Sequence, residues 1–170
     1  FPAKPALFNS LQASALVEDS FIRQLKLQGK KSYYYGDPLW PGFFPQDLWT
    51  EATPIEDFSL RDNTVDDKSM LYIKNKLQDK NFDFDLLFTH LISVDHMAHA
   101  YGLGDARMAA QIKVVDEFIA DVLKMVDDDT TVLIFGDHGS KFSGVHGGGS
   151  EDEMTTAILA YNKKAFEKYS

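Results

Sequence analysis

The chain has 170 residues, of which 44% are hydrophobic and 13% aromatic, and this is enough apolar material for one sizeable core. A formal net charge of −9 would repel a phosphate backbone, so we exclude nucleic acid as a partner. The sequence contains no cysteine, which excludes disulfides and thiolate metal sites, and no run approaches the ~20 apolar residues of a membrane span, so we expect the chain itself to be soluble.

The first half of the chain alternates helical and extended patterns. Apolar residues at helical spacing predict a helix over 13–28, which Gly29 ends, and "KKSYYYGD" then predicts a short strand. Three prolines and a glycine predict that "PLWPGFFP" is a loop. A second helix is expected over 64–80 with Ile73 in the core, and "FDLLFTHLISV" predicts a buried strand that ends near Val94.

The second half continues the alternation. Helical spacing predicts a helix over 106–125 with Ile112 on its core face, and the acidic run 127–129 is interpreted as a solvated turn. "TTVLIFG" predicts another buried strand and "TTAILAY" a last strand. This order predicts a single α/β domain over residues 1–170, with a mostly parallel sheet and helices on both of its faces.

Two polar segments follow predicted strands, and open α/β sheets bind ligands at the carboxyl ends of their strands. These segments are "VDHMAHAYG" and "GDHGSKFSGVHGG". Carboxylate and imidazole groups without cysteine are a ligand set for zinc or manganese. Five candidate ligands suit a pair of metal ions better than one four-coordinate ion. They are Asp95, His99, Asp137, His138 and His146.

The distribution of histidine decides how these residues are interpreted. A single histidine beside a strand is usually a satisfied polar group, and taken singly each of these would be read in that way. All five histidines, however, lie between His90 and His146, and three of them accompany Asp and Gly. We therefore interpret the set as a metal site. His90 is expected in the core or in a supporting position, and His96, as the neighbour of a ligand, is expected to orient the metal or the substrate.

The two ligand segments resemble the metal-site pattern of the alkaline phosphatase superfamily. "EDSFIRQL", the "GD" followed by Trp40 and "FP", "RDNTVD" and "HLISVDH" further resemble the GPI ethanolamine phosphate transferases in the same order, and "HGGGSEDE" favours their class O type. The resemblance covers nearly the whole chain. It implies an alkaline phosphatase-like fold, of which this chain would form the later part.

The resemblance also implies a division of the ligands. One metal would be held by Asp95, His99 and His146, and a second by Asp137 and His138 together with an upstream Asp and a nucleophilic Thr. The family pattern places these last two before Phe1. The resemblance therefore assigns no catalytic nucleophile within the chain, and we expect these 170 residues alone to be inactive.

The function implied is metal-dependent transfer of ethanolamine phosphate from phosphatidylethanolamine to a mannose of the GPI precursor lipid, through a phospho-Thr intermediate, with zinc favoured over manganese. The implied location is the lumenal face of the endoplasmic reticulum membrane, and the need for a partner subunit stays open. Two alternatives remain. One is another superfamily phosphodiesterase, such as a nucleotide pyrophosphatase or phosphomutase, and the other is a non-catalytic scaffold or binding domain.

Overall fold

The structure, a computed structural model, describes residues 16, 18–55 and 64–164. The chain divides into two compact units, Phe1–Ser93 and Val94–Ser170. That both belong to one alkaline phosphatase-like domain over residues 1–170 stays a prediction.

The first unit is built on a parallel sheet. Its strands are β1 (Ser32–Gly36), β2 (Glu51–Pro54) and β3 (Leu86–His90), in the spatial order β2-β1-β3. In this register Tyr34 of β1 lies opposite Ala52 on one side and Phe88 on the other. The α/β class is confirmed, and parallel pairing brings the carboxyl ends of all three strands to one edge.

Helices precede and connect these strands. They are α1 (Phe21–Leu27), α2 (Leu39–Phe43), a 3₁₀ turn (Gln46–Leu48) and α3 (Thr64–Gln78). The helix predicted over 13–28 is confirmed only in its last part. It begins after Ser20, the N-cap residue, whose side chain accepts from the Arg23 N–H. Residues 13–15 and 17 lie outside the described residues. The loop predicted for "PLWPGFFP" was wrong, since it contains α2. Pro41 is tolerated there because the first N–H groups of a helix need no intrahelical partner.

The core of the first unit is aromatic and centres on β1. Tyr34 is fully buried, and its hydroxyl donates to the Asp37 carbonyl at 2.7 Å. Burial, followed by the nearby Asp37, raises the pKa of Tyr34, so the phenol stays neutral and remains a donor. Around it pack Ile22, Phe44, Trp49 and Ala52, with Trp40, Phe43, Leu48, Leu86 and Phe88 partly buried against them.

Two acidic side chains organise the carboxyl edge of this sheet. Asp37, directly after β1, accepts from the Leu39 N–H at 2.8 Å and contacts Nδ1 of His90 at the end of β3. Fully buried Asp66 of α3 accepts from the backbone N–H groups of Ile92, at 2.8 Å, and Ser93, at 3.1 Å. The prediction that β3 runs to Val94 was wrong, because Asp66 caps a helix that begins at Ser93.

The second unit carries the remaining elements. They are α4 (Ser93–Tyr101), which starts at the last residue of the first unit, α5 (Ala106–Met125), β4 (Val132–Phe135), α6 (Glu151–Met154) and β5 (Ile158–Tyr161). The predicted bounds of α5 are confirmed, and Asp105 caps it by accepting from the Arg107 N–H at 2.9 Å. The acidic turn is also confirmed, with the Asp127 carboxylate accepting from the Asp129 N–H.

Two burial predictions for this unit were wrong. Ile112 is 52% exposed, because the buried residues of α5 are Met108, Gln111 and Phe118. β4 pairs with β5 in a separate antiparallel sheet of two strands, and both Leu133 and Phe135 are exposed. Within the described residues these strands pair only with each other. The exposed side chains of Leu133 and Phe135 leave one face of this two-stranded sheet open. None of the described helices is long and apolar enough to cross a membrane.

Candidate metal centre

Helix α4 places the first two candidate ligands side by side. Asp95 and His99 are four residues apart, so they lie on one helix face. The Asp95 Oδ1 and His99 Nε2 atoms are 3.5 Å apart. Helix α4 therefore holds these two candidate donor atoms close together.

The third ligand comes from the segment between β4 and α6, residues 136–150, which we call the ligand loop. His146 Nε2 lies 2.9 Å from His99 Nε2 and 3.1 Å from Asp95 Oδ1. The three donor atoms all lie within 4.8 Å of one another. Donors about 2.0–2.1 Å from a tetrahedral ion are separated by roughly 3.3 Å, so the cluster fits one zinc-sized cation with a coordination position left open.

Glycine allows the ligand loop to reach α4. Gly144 has φ 81°, and a Cβ built at this position would meet the Ala98 carbonyl oxygen at 1.9 Å. The loop backbone thus runs directly against the helix between Asp95 and His99, where only glycine fits. A hydrogen bond from the Leu103 N–H to the Phe142 carbonyl, at 3.0 Å, joins the ligand loop to the turn that follows α4.

A buried carboxylate holds the far end of the ligand loop. Glu153 is 5% exposed, and it accepts from the Gly148 N–H at 2.9 Å, the Ser150 N–H at 3.3 Å and the Ser150 hydroxyl. The Lys141 Nζ lies 3.3 Å from the same carboxylate. These donors, led by Ser150, lower the pKa of Glu153 to about 2, so the carboxylate is charged. It binds residues on both sides of His146, namely Lys141 before it and Gly148 and Ser150 after it.

Burial affects the protonation of one candidate ligand in the cluster, His146. Burial, ahead of the effects of Asp95 and the other histidines, lowers the pKa of His146. A neutral imidazole is the form that ligates a metal. Between 17% and 29% of each of the three side chains is exposed, so an ion and a small substrate can reach the donors.

The other two predicted ligands lie beside this cluster and outside it. His138 Nε2 is 3.5 Å from Asp137 Oδ2, and the His138 ring stacks on His146 with 3.8 Å between centroids. The His138 Nδ1 lies 2.9 Å from the Gly139 carbonyl. Because a carbonyl only accepts, Nδ1 carries the proton and Nε2 of the neutral ring keeps its lone pair. Asp137 and His138 therefore offer two candidate ligand atoms beside the three-donor cluster.

Sequence reasoning missed the residues that support the ligands. The S-x-x-E signature of Ser150 and Glu153 is that of a capping box and was available as a signal. Asp66 gave no such signal, because its partners at Ile92 and Ser93 lie 26 and 27 residues away. His96 is 7% exposed, and its predicted orienting role stays a prediction.

Comparison with protein families gives one match. The family described as type I phosphodiesterase / nucleotide pyrophosphatase matches residues 19–145. This range contains four of the five candidate ligands and ends one residue before His146.

Curated relatives match over most of the chain. The "GPI ethanolamine phosphate transferase 3" of Saccharomyces cerevisiae is 35% identical over 92% of this chain and 15% of its own length. "GPI ethanolamine phosphate transferase 3, catalytic subunit" of Homo sapiens is 31% identical over 92% of the chain and 14% of its own length. "GPI ethanolamine phosphate transferase 2" of Eremothecium gossypii is 31% identical over 89% of the chain and 19% of its own length. The chain thus spans less than a fifth of the length of these relatives.

Proposed function

The chain belongs to the type I phosphodiesterase / nucleotide pyrophosphatase family, and from this membership we propose that it forms the metal-binding part of a phosphoethanolamine transferase of GPI-anchor biosynthesis. The observation that carries the proposal is the convergence of Asp95, His99 and His146 within 4.8 Å. The transferase names of relatives that match about nine-tenths of the chain support the same reaction class.

This geometry supports a division of the candidate ligands between two cations. Asp95, His99 and His146 hold one divalent cation, and Asp137 with His138 contributes two ligands to a second. Zinc is favoured over manganese, because two imidazoles and one carboxylate with an open position are the donor set of a catalytic zinc site. When bound, the cations neutralise charge that develops on phosphoryl oxygens.

The proposed reaction is a double displacement at phosphorus. A threonine oxygen bonds to phosphorus while the bond to the diacylglycerol oxygen breaks, and the threonine proton goes to that leaving oxygen. A mannose hydroxyl then forms the new P–O bond, the bond to threonine breaks, and the proton returns to threonine. The resemblance assigns no nucleophilic threonine within the 170 residues, and we expect these residues by themselves to bind metal without turnover.

The setting is proposed on the same basis. The donor is phosphatidylethanolamine and the acceptor is the GPI precursor lipid, so the protein works at the endoplasmic reticulum membrane with this part in the lumen. The human relative's name contains the words "catalytic subunit", which supports a partner subunit for the whole protein.

The family description favours one second candidate, a nucleotide pyrophosphatase or related phosphodiesterase. It would use the same ligands on a different substrate. A panel of phosphodiester substrates offered to the whole protein separates the two, since a transferase requires a phosphatidylethanolamine donor.

The metal site is tested by elemental analysis of the purified chain and two single-histidine variants. We expect about one equivalent of zinc in the wild type, loss of this zinc in His99→Ala, and retention in His138→Ala. His138 is the matched control, because its ring stacks on His146 while its nitrogens lie outside the three-donor cluster. Zinc at background level in the wild type, or equal loss in both variants, would contradict the proposal.

A further inference from the structure

An open cleft of about 550 Å³ lies directly beside the metal cluster. His99 lines it, together with Tyr101, Asp105, Phe142 and Ser143. Its size falls within the ~300–1,000 Å³ typical of small-ligand sites. Because His99 belongs both to the cleft wall and to the three-donor cluster, the cleft has one end beside the candidate metal ligands.

The most prominent wall residue is an exposed aromatic ring in a fixed position. Phe142 is 76% exposed, yet its carbonyl accepts from the Leu103 N–H at 3.0 Å. The ring lies over Gly104, where an added Cβ would meet the ring carbon Cζ at 2.8 Å. A large apolar ring held at the surface in this way contributes little to a core, and its free surface is available to a ligand.

The charges of the cleft wall compensate each other. Asp105 accepts from Arg107 Nε at 2.7 Å and from the Arg107 terminal nitrogen Nη2 at 2.8 Å. The Arg107 guanidinium also lies over the Tyr101 ring, 3.3 Å from its centroid. The Asp105 carboxylate that an ammonium ligand would need is therefore already neutralised by Arg107, and neither Lys nor Arg is among the residues that line the cleft. What this wall offers is an aromatic surface, hydroxyls and backbone polar groups, which suits a neutral polyol.

We propose that this cleft holds a sugar ring of the acceptor, with Phe142 as its stacking surface and His99 at the end where the reacting hydroxyl lies. The inference rests on the proposed function, since it names the part of the molecule that receives ethanolamine phosphate. The apolar C–H face of a hexose packs on an aromatic ring, and its hydroxyls reach the polar groups around Ser143.

The test uses methyl α-D-mannopyranoside as the probe and saturation-transfer NMR on the zinc-treated chain. We expect saturable binding, a Kd about fivefold weaker in Phe142→Ala, and recovery in Phe142→Tyr, which keeps the ring. Met154→Ala is the control, because Met154 is similarly exposed, at 71%, in the same unit and outside the cleft. Gly104→Ala, which displaces the ring, is expected to weaken binding as well.

Zinc content is measured in each sample, so a failure of the proposed metal site can be distinguished from a failure of the proposed sugar site. A wild type without zinc overturns the metal site, whereas the contact of mannoside with Phe142 needs no ion and is read in either case. Absence of saturable mannoside binding, or equal binding in Phe142→Ala and Met154→Ala, overturns the sugar assignment. Phe142-dependent binding of dihexanoyl phosphatidylethanolamine in place of mannoside overturns it too, and assigns the cleft to the lipid donor.

Discussion

At the scale of single residues, two buried carboxylates that are not candidate ligands hold backbone segments in place. Glu153 accepts from Gly148 and Ser150 and lies beside Lys141 in the ligand loop, whereas Asp66 accepts from the Ile92 and Ser93 N–H groups within the first unit. The ligands could be predicted from sequence because residue type and spacing are local properties. Glu153 and Asp66 act on partners defined by the fold, and for this reason ligand chemistry alone did not identify them.

The first prediction concerns the charge on Glu153. Its donors lower its pKa from 4.5 to about 2, so the ionised group stabilises the fold above its ordinary pKa and loses this effect as pH falls from 4.5 toward 2. We expect Glu153→Gln to lower the free energy of unfolding at neutral pH, and the difference from wild type to shrink over that acid range. Chemical denaturation at a series of pH values measures this.

Glu151→Gln serves as the control for that experiment, since Glu151 is exposed and lies in the same short helix. A difference between wild type and Glu153→Gln that stays constant with pH would show that the charge of Glu153 does not stabilise the ligand loop.

At the scale of elements, the close contact between α4 and the ligand loop creates the cluster. The long helix α5 could be predicted to the residue, because twenty residues of helical periodicity follow a capping Asp105. Strand β2 was missed, because "EATP" has four residues, a charge and a proline, and it is a strand only through its pairing with β1. Local pattern thus identified the long helix and the apolar strands, whereas the polar strand β2 is defined by its pairing.

The second prediction concerns the contact at Gly144. An added methyl group would overlap the Ala98 carbonyl oxygen and would sit at φ 81°, so we expect Gly144→Ala to cost about 2–3 kcal/mol of unfolding free energy. Zinc affinity is expected to fall about tenfold, because His146 moves away from α4. Denaturation and zinc titration measure the two effects.

Gly149→Ala is the matched control for this contact, since Gly149 lies in the same loop with nothing within 4 Å of an added Cβ. We expect it to behave like the wild type. Equal effects from the two substitutions would contradict a specific role for the contact at Gly144.

At the scale of the whole molecule, the three clustered ligands all belong to the unit Val94–Ser170. Strand patterns predicted that β4 and β5 exist, but not that they form a separate antiparallel sheet, because periodicity identifies a strand without identifying its neighbour. The division into two units likewise follows from long-range contacts that have no local signature.

The third prediction follows from this division. Zinc at about 100 times its Kd adds about 2.7 kcal/mol of stability to whatever unfolds together with the site, which corresponds to roughly 100-fold slower exchange of the most protected amides. We expect hydrogen–deuterium exchange to show this slowing within Val94–Ser170 and little change within Phe1–Ser93. Slowing in neither unit, or slowing confined to Phe1–Ser93, would contradict the assignment of the cation to Asp95, His99 and His146.

The contact between Gly144 and Ala98 has a consequence for how such sites change during evolution. The ligand loop touches the helix two residues before His146, and one residue of extended chain spans about 3.3 Å. An insertion or deletion between residues 144 and 146 would therefore carry the imidazole beyond bonding reach of Asp95 and His99. We therefore expect related chains with this site to keep two spacings. Two ligands lie four residues apart on a helix, and a glycine is followed two positions later by the third ligand, a histidine. A search for distant chains with this site gains selectivity when it requires the glycine as well as the three ligands.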